Sequence, residues 1–191
     1  MKGFLHLQFH HQMNKDLHLL ILAQFHYILH LKKILLQEYL HVILILDHWV
    51  LFQSLDRIYL YDTQEDSFKI IEAPSTKAKL HVLKDRVFFQ KAKQGLFTIE
   101  NGTSVLVSAD PVFSEQPIIG IYESDNGLLV VTEDSHFYKY DFDVPVPFPT
   151  EMDQFNVKVY SSLKLNDGSF VLGTISNGIY HLSPNGHLIR N

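Results

Sequence analysis

WVLFQSLDRIYLYD, residues 49–62, runs as an apolar strand, a short polar turn and a second strand centred on aromatics. The phrase returns as VFFQKAKQGLFTIE at 87–100, LLVVTEDSHFYKYD at 128–141 and FVLGTISNGIYHLS at 170–183. Taking Ile58, Leu96, Phe137 and Ile179 as equivalent, the steps are 38, 41 and 42 residues. That is the period of a four-stranded propeller blade. A repeat of this kind directs the search for function to loops gathered at one face of a scaffold rather than to a local catalytic motif.

The surrounding sequence completes each unit. Residues 41–46, 80–83, 118–122 and 159–163 read as innermost strands, and 68–71, 104–107 and 187–190 as outermost ones. The third unit breaks the pattern, because Val144-Pro145-Val146-Pro147-Phe148-Pro149 stands where its outer strand belongs. Proline has no N–H for a ladder, so this stretch reads as a loop or an edge. Asn101-Gly102, Asn126-Gly127, Asp167-Gly168 and Asn185-Gly186 fall between apolar segments, as the turns of antiparallel meanders do. The expected fold is all-β: a partial β-propeller of about four four-stranded blades, at about 41–72, 79–108, 117–149 and 158–190. A Leu/His-rich segment, 1–40, precedes it.

That segment has a different composition. Residues 1–46 hold seven of the twelve histidines and thirteen leucines, with Gly3 the single glycine and no proline. Its longest stretch without a formal charge, 17–31, is fifteen residues, short of the about 20 that a membrane span needs. It has the basic start and apolar run of a secretory signal but no small-residue cleavage site. Residues 16–40 have helix-forming composition, yet their apolar positions cover almost the whole circumference, which calls for a partner surface. The alternative is sequence of another origin, such as a shifted reading frame or a misassigned start.

Composition excludes several functions. With 16 basic and 21 acidic residues the net charge is −5, and no basic run exceeds Lys32-Lys33, so the electrostatic footprint for direct nucleic-acid binding is missing. The absence of cysteine removes disulfides, thiolate metal sites and cysteine nucleophiles. His6/His10 and His26/His30 are spaced to share a helix face, but Leu7 and Tyr27 stand where a zinc hydrolase carries glutamate. No metal or cofactor is expected. Carboxylates cluster at Asp62/Glu65/Asp66, Glu133/Asp134 and Asp141/Asp143, all in turns, where local hydrogen bonding accounts for them. No nucleophile elbow, phosphate loop or dinucleotide fingerprint is present, so the reading is non-enzymatic. Phe52, Tyr59, Phe88, Phe97, Tyr138, Phe170 and Tyr180 alternate along strands as blade-packing residues do.

In a propeller the loops between second and third strands share a face with the blade-to-blade connections. Those loops carry Ser54 and Asp56, Lys91 and Lys93, Glu133 and Asp134, and Ser176 and Asn177. These eight are the candidate ligand-binding residues, a mixed polar set suited to a polar ligand or a protein partner.

VLGTISNGIYHLSPNG at 171–186 resembles the repeat of the two-component-regulator propeller family, and QGLFTIENG (94–102) and DRIYLYD (56–62) resemble weaker versions of it. From Ile119 through PFPTEMDQF (147–155) to Ile189 the chain is similar to the sensor propellers of large Bacteroidetes-type regulators with a triple-tyrosine β-domain. The resemblance covers 49–191 and departs in length, since the triple-tyrosine domain, membrane span, kinase and helix-turn-helix of those proteins have no counterpart here. It implies a fragment of a periplasmic, ligand-sensing propeller. Its partners would be the remaining blades and the output domain of a parent regulator, and its ligand a small polar or glycan-derived molecule. Outside the resemblance two other roles stand open: a protein-interaction scaffold, and a propeller lyase or hydrolase. A partial ring would also leave strand edges exposed to pairing and aggregation.

Overall fold

The computed structural model describes residues 42–46, 48–77 and 79–190. The helix expected at 16–40 and the histidine pairs at 6/10 and 26/30 lie outside the described residues. The chain divides into two units, 1–39 and 40–191, and every described residue belongs to the second.

Four sheets, each of four antiparallel strands in sequence order, make up this unit. The first holds β1 (Val42–Leu46), β2 (Trp49–Gln53), β3 (Arg57–Asp62) and β4 (Ser67–Glu72). The second holds β5 (Leu80–Leu83), β6 (Arg86–Lys91), β7 (Gly95–Glu100) and β8 (Thr103–Ser108). The third is β9 (Ile118–Ser124), β10 (Gly127–Thr132), β11 (Phe137–Tyr140) and β12 (Val146–Phe148). The fourth is β13 (Val159–Lys164), β14 (Phe170–Thr174), β15 (Ile179–Leu182) and β16 (Leu188–Arg190). Each is an up-and-down meander, the repeating unit of a propeller. The described residues therefore form an all-β partial β-propeller of four blades.

The register confirms the equivalence read from the sequence. Ile58 pairs with Gln53, Leu96 with Gln90, Phe137 with Val131 and Ile179 with Gly173. At the second blade's outer hairpin Asn101 and Gly102 both take positive φ, 51° and 71°, which a two-residue turn between right-twisted strands requires.

One element resolves between the loop and the edge that its prolines allow. The proline-rich stretch of the third blade does form an outer strand, β12, with Pro147 opposite Tyr138 and flanked by the Val146 and Phe148 pairs. An edge strand tolerates this because the proline position can face away from its single neighbour. Two short helical turns in the connections also had no sequence signal: α1 (Pro111–Glu115) and a 3-10 turn at Glu151–Gln154. Asp110 caps the first through the Val112 N–H, and Thr150 with Asp153 closes a capping box on the second.

Three apolar cores lie between successive blades. Leu51, Ile58 and Leu60 of the first blade meet Val87, Phe89 and Phe97 of the second. On the second blade's other face, Phe88 and Leu96 join Phe113 against Ile118, Leu128 and Val130 of the third. Leu129, Val131 and Phe137 then pack with Met152 against Phe170, Leu172 and Tyr180 of the fourth. Alternation along the strands supplies each blade with two apolar faces. Each fully buried leucine or phenylalanine contributes about 1.5–3 kcal/mol, so the junctions between blades carry the stability. Among the described residues no helix is long and apolar enough to cross a membrane.

Candidate functional site

The loops between second and third strands and the blade connections meet on one face, laced by backbone hydrogen bonds. Ala73 donates to Asp56 O at 2.7 Å, Ala92 to Pro74 O at 2.6 Å, Lys93 to Ser114 O at 2.9 Å and Glu133 to Pro117 O at 2.8 Å. Val159 then donates to Glu133 O at 2.8 Å, bringing in the fourth blade. Antiparallel meanders must place these segments at the same end.

The eight candidate residues fare differently there. Ser54 is buried and donates to Asp56 Oδ1 at 2.8 Å, while its own Oγ accepts from the Arg57 N–H; the pair braces its turn. Lys91 turns back across its blade, donating to Ser104 at 2.9 Å with its Nζ 4.5 Å from the Phe97 ring centroid. Burial holds its amine below the usual lysine range. Lys93 takes φ 62° and helps line a cavity of about 310 Å³ with Thr76, Gln90, Ala92, Ser114 and Pro117. Asp134 accepts from Thr132 Oγ1 at 2.6 Å and lies 3.1 Å from His136 Nδ1. Ser176 and Asn177 sit exposed in a turn tied by Thr174, whose Oγ1 accepts from the Asn177 N–H.

Glu133 is the member that gathers others. Its carboxylate lies 3.2 Å from Lys77 Nζ and 3.6 Å from Lys158 Nζ, with the glutamate side chain 17% exposed. Lys77 Nζ is also 4.6 Å from the Tyr160 ring centroid. Beside it Lys79 donates to Ile119 O at 3.3 Å and Tyr160 O at 3.0 Å, joining the first connection to the inner strands of the third and fourth blades. Burial, then the neighbouring Lys77 ammonium, lowers the Lys79 pKa. Two ammonium groups, of Lys77 and Lys158, thus flank one carboxylate, and those of Lys77 and Lys79 lie over the exposed ring of Tyr160. Thr76 of the 310 Å³ cavity directly precedes Lys77.

Sequence reasoning missed Lys77, Lys79, Lys158 and Tyr160. They lie in connections or at a strand start, outside the repeated phrase, and no spacing rule joins residues 80 positions apart. A second cleft escaped it as well, on the opposite face between the third and fourth blades, of about 640 Å³. Glu123, Lys139, Phe148, Lys164 and Asn185 line it, with Lys139 Nζ 5.0 Å from the Phe148 ring centroid.

Among the described residues no group of three or more His, Asp or Glu side chains could hold a metal ion. The carboxylates of the turns serve local roles: Asp62 accepts from the Gln64 and Glu65 N–H groups, and Asp66 from the Tyr61 hydroxyl at 2.6 Å. Phe88, Phe97, Phe170 and Tyr180 lie in the inter-blade cores.

Meanders stacked face to face about their inner strands define the class as β-propeller. Solved structures share the fold. The extracellular domain of BT4673 from B. thetaiotaomicron, described as a one-component system, aligns over 74% of this chain with a TM-score of 0.53 and 14% identity. The computationally designed Ika8 protein aligns over 76% with a TM-score of 0.51 and 11% identity. The N-terminal domain of Nup159 aligns over 78%, at 0.50 and 13%. The chain spans 20% of the first of these structures and 46% of each of the other two. At such identities the likeness is one of fold. Comparison with protein-family models and with curated proteins gives no match.

Proposed function

We propose that this chain is a non-catalytic, ligand-sensing part of a β-propeller belonging to a larger, periplasmic signalling regulator. The observation that carries the reading is the Lys77–Glu133–Lys158 cluster beside Tyr160 and Lys79, built from three separate segments on the connection face. Three cations against one anion leave a net positive site, and an aromatic ring next to it offers an apolar surface to a sugar ring. The ligand class this favours is a glycan-derived molecule bearing a carboxylate. Support also comes from the repeat resemblance and from a fold neighbour that is the extracellular domain of a protein described as a one-component system.

The test is a thermal-shift and calorimetric screen of the full chain against acidic and neutral oligosaccharides. An acidic oligosaccharide should raise the melting temperature, and the Lys77→Ala/Lys158→Ala double variant should bind it at least tenfold more weakly. Equal binding by the double variant would remove this cluster from the site. Turnover of the ligand would replace the sensor reading with an enzymatic one.

A further inference from the structure

We propose that the face of the fourth blade turned away from the third is a docking surface, and that its occupant is one more propeller blade. Ile58, Leu96, Phe137 and Ile179 hold equivalent positions at the start of the third strand of each blade. In the first three blades this position is 0%, 0% and 1% exposed, because it packs against the blade that follows. In the fourth blade Ile179 is 63% exposed. Its neighbour Tyr180 points the other way, into the core shared with the third blade, so alternation puts Ile179 on the far face.

The rest of that face repeats the pattern. Val171 stands where Leu51, Phe88 and Leu129 stand, 1%, 1% and 5% exposed, yet Val171 itself is only half-buried. Leu163, its partner on the innermost strand, is 57% exposed. Exposure on outermost strands decides nothing, since Leu106 is also half exposed at the rim of the second blade, which is covered on both faces. Ile179, Val171 and Leu163 are inner-strand positions. In the first three blades the equivalents Ile58, Leu96 and Phe137, and Leu51, Phe88 and Leu129, are all buried, and His81 and Tyr122, which pair with Phe88 and Leu129 as Leu163 does with Val171, are partly buried.

What covers them in the three internal junctions is a twisted four-stranded sheet carrying aromatic and aliphatic side chains on its near face. Phe89 and Phe97 do this for the first blade, Leu128 and Val130 for the second, Phe170 and Tyr180 for the third. The fourth face continues the same series, with the same residue classes at the same register and the same strand twist to match. A flat apolar surface would not follow that twist, and each of the three internal faces is covered by a blade. The occupant is accordingly a blade whose near face resembles that of the fourth blade itself.

The chain has no cysteine, so single cysteines report burial cleanly. Ile179→Cys is compared with Leu55→Cys, a control at a 56% exposed loop position of the first blade. Both are placed in the full chain and in the full chain extended by a second copy of residues 149–190. Thiol labelling of Ile179→Cys should slow at least tenfold in the extended protein and the control should not change. Amide exchange should show the appended copy protected. An appended copy that gains no protection, or unchanged labelling of Ile179→Cys, overturns the proposal. Labelling of Ile179→Cys in the unextended chain that slows with protein concentration overturns it in favour of a second copy of this chain.

Discussion

Two glutamines at the same place in successive blades show how much a single amide depends on its surroundings. Gln90 is 8% exposed and uses its amide fully: Nε2 donates to Phe113 O at 2.8 Å and Gln116 O at 2.6 Å, and Oε1 accepts from the Ile118 N–H at 3.0 Å. It thereby pins the connection containing α1 to the head of β9. Gln53 occupies the equivalent position at 0% exposure, and neither its Nε2 nor its Oε1 has a partner among the described residues. Leaving buried donors and acceptors unpaired costs about 1–3 kcal/mol each. Gln90→Leu should therefore destabilise the protein by about 2–4 kcal/mol, whereas Gln53→Leu should leave stability unchanged or raise it. Urea unfolding of the two variants checks this, and equal losses would refute the distinction. His81 gives a pH prediction at the same scale. Burial, with the Lys79 ammonium adding to it, lowers its pKa from 6.5 to about 3. Between those values the unfolded chain binds a proton that the folded one refuses. Stability is then full above pH 6.5 and falls on acidification by up to about 1.4 kcal/mol per pH unit. His81→Gln should flatten the fall between pH 6.5 and about 5.5, above the range where ordinary carboxylates titrate. An unchanged slope in urea midpoints would contradict it.

Among the elements, the turn from β6 into β7 is the one that admits least change. Gly95 holds φ +124°, a region that other residues enter at a cost of order 1–3 kcal/mol. A Cβ there would also press on the Ser108 carbonyl and lie 3.0 Å from the Ala109 Cα. Gly95→Ala should lower stability by at least about 2 kcal/mol and loosen the β7–β8 pairing, read as faster amide exchange in 103–108; wild-type exchange there would argue against it. This glycine was visible in the sequence inside QGLF, but the close approach that demands it was not, because Ser108 lies thirteen residues on. The same division runs through the other elements. Strand positions and blade boundaries were legible because alternation and Asn-Gly turns are local signals. For β12 the prolines allowed a loop or an edge strand, and only the tertiary position shows that one side of that strand needs no partner. Of the candidate site, Glu133 was legible as a residue of the loop between second and third strands. Lys77, Lys79, Lys158 and Tyr160 were not, since the connections that bring them together carry no periodic pattern. Lys91 was assigned to the same face, but its stem follows the apolar sheet surface to Ser104, as long amphipathic side chains do.

Over the whole molecule the three inter-blade cores make stability a property of neighbours. The second and third blades are covered on both faces by other blades, and the fourth is covered on one. Repeat architectures of this kind behave as a chain of nearest-neighbour couplings, so opening should begin where one coupling is missing. The centre of β10, with Val130 and Val131 both 0% exposed, lies between two cores. By contrast β15 and β16 have Ile179 at 63% and Ile189 at 57% exposure. Native-state hydrogen exchange should accordingly find the slowest amides in β6 and β10 and the fastest strand amides in β15 and β16. Mild denaturant should open the fourth blade before the third. A single cooperative unit, with all blades exchanging through one global opening, would give equal limiting free energies in β10 and β15. The prediction also bears on solubility, because a fourth blade that opens early exposes both its apolar far face and the Phe170–Tyr180 side of the last core. Light scattering during a temperature ramp should then rise before the loss of β10 protection. Ile179→Asp, which places a charge on the far face without touching the cores, should delay that rise while leaving the β10 amides as slow as before.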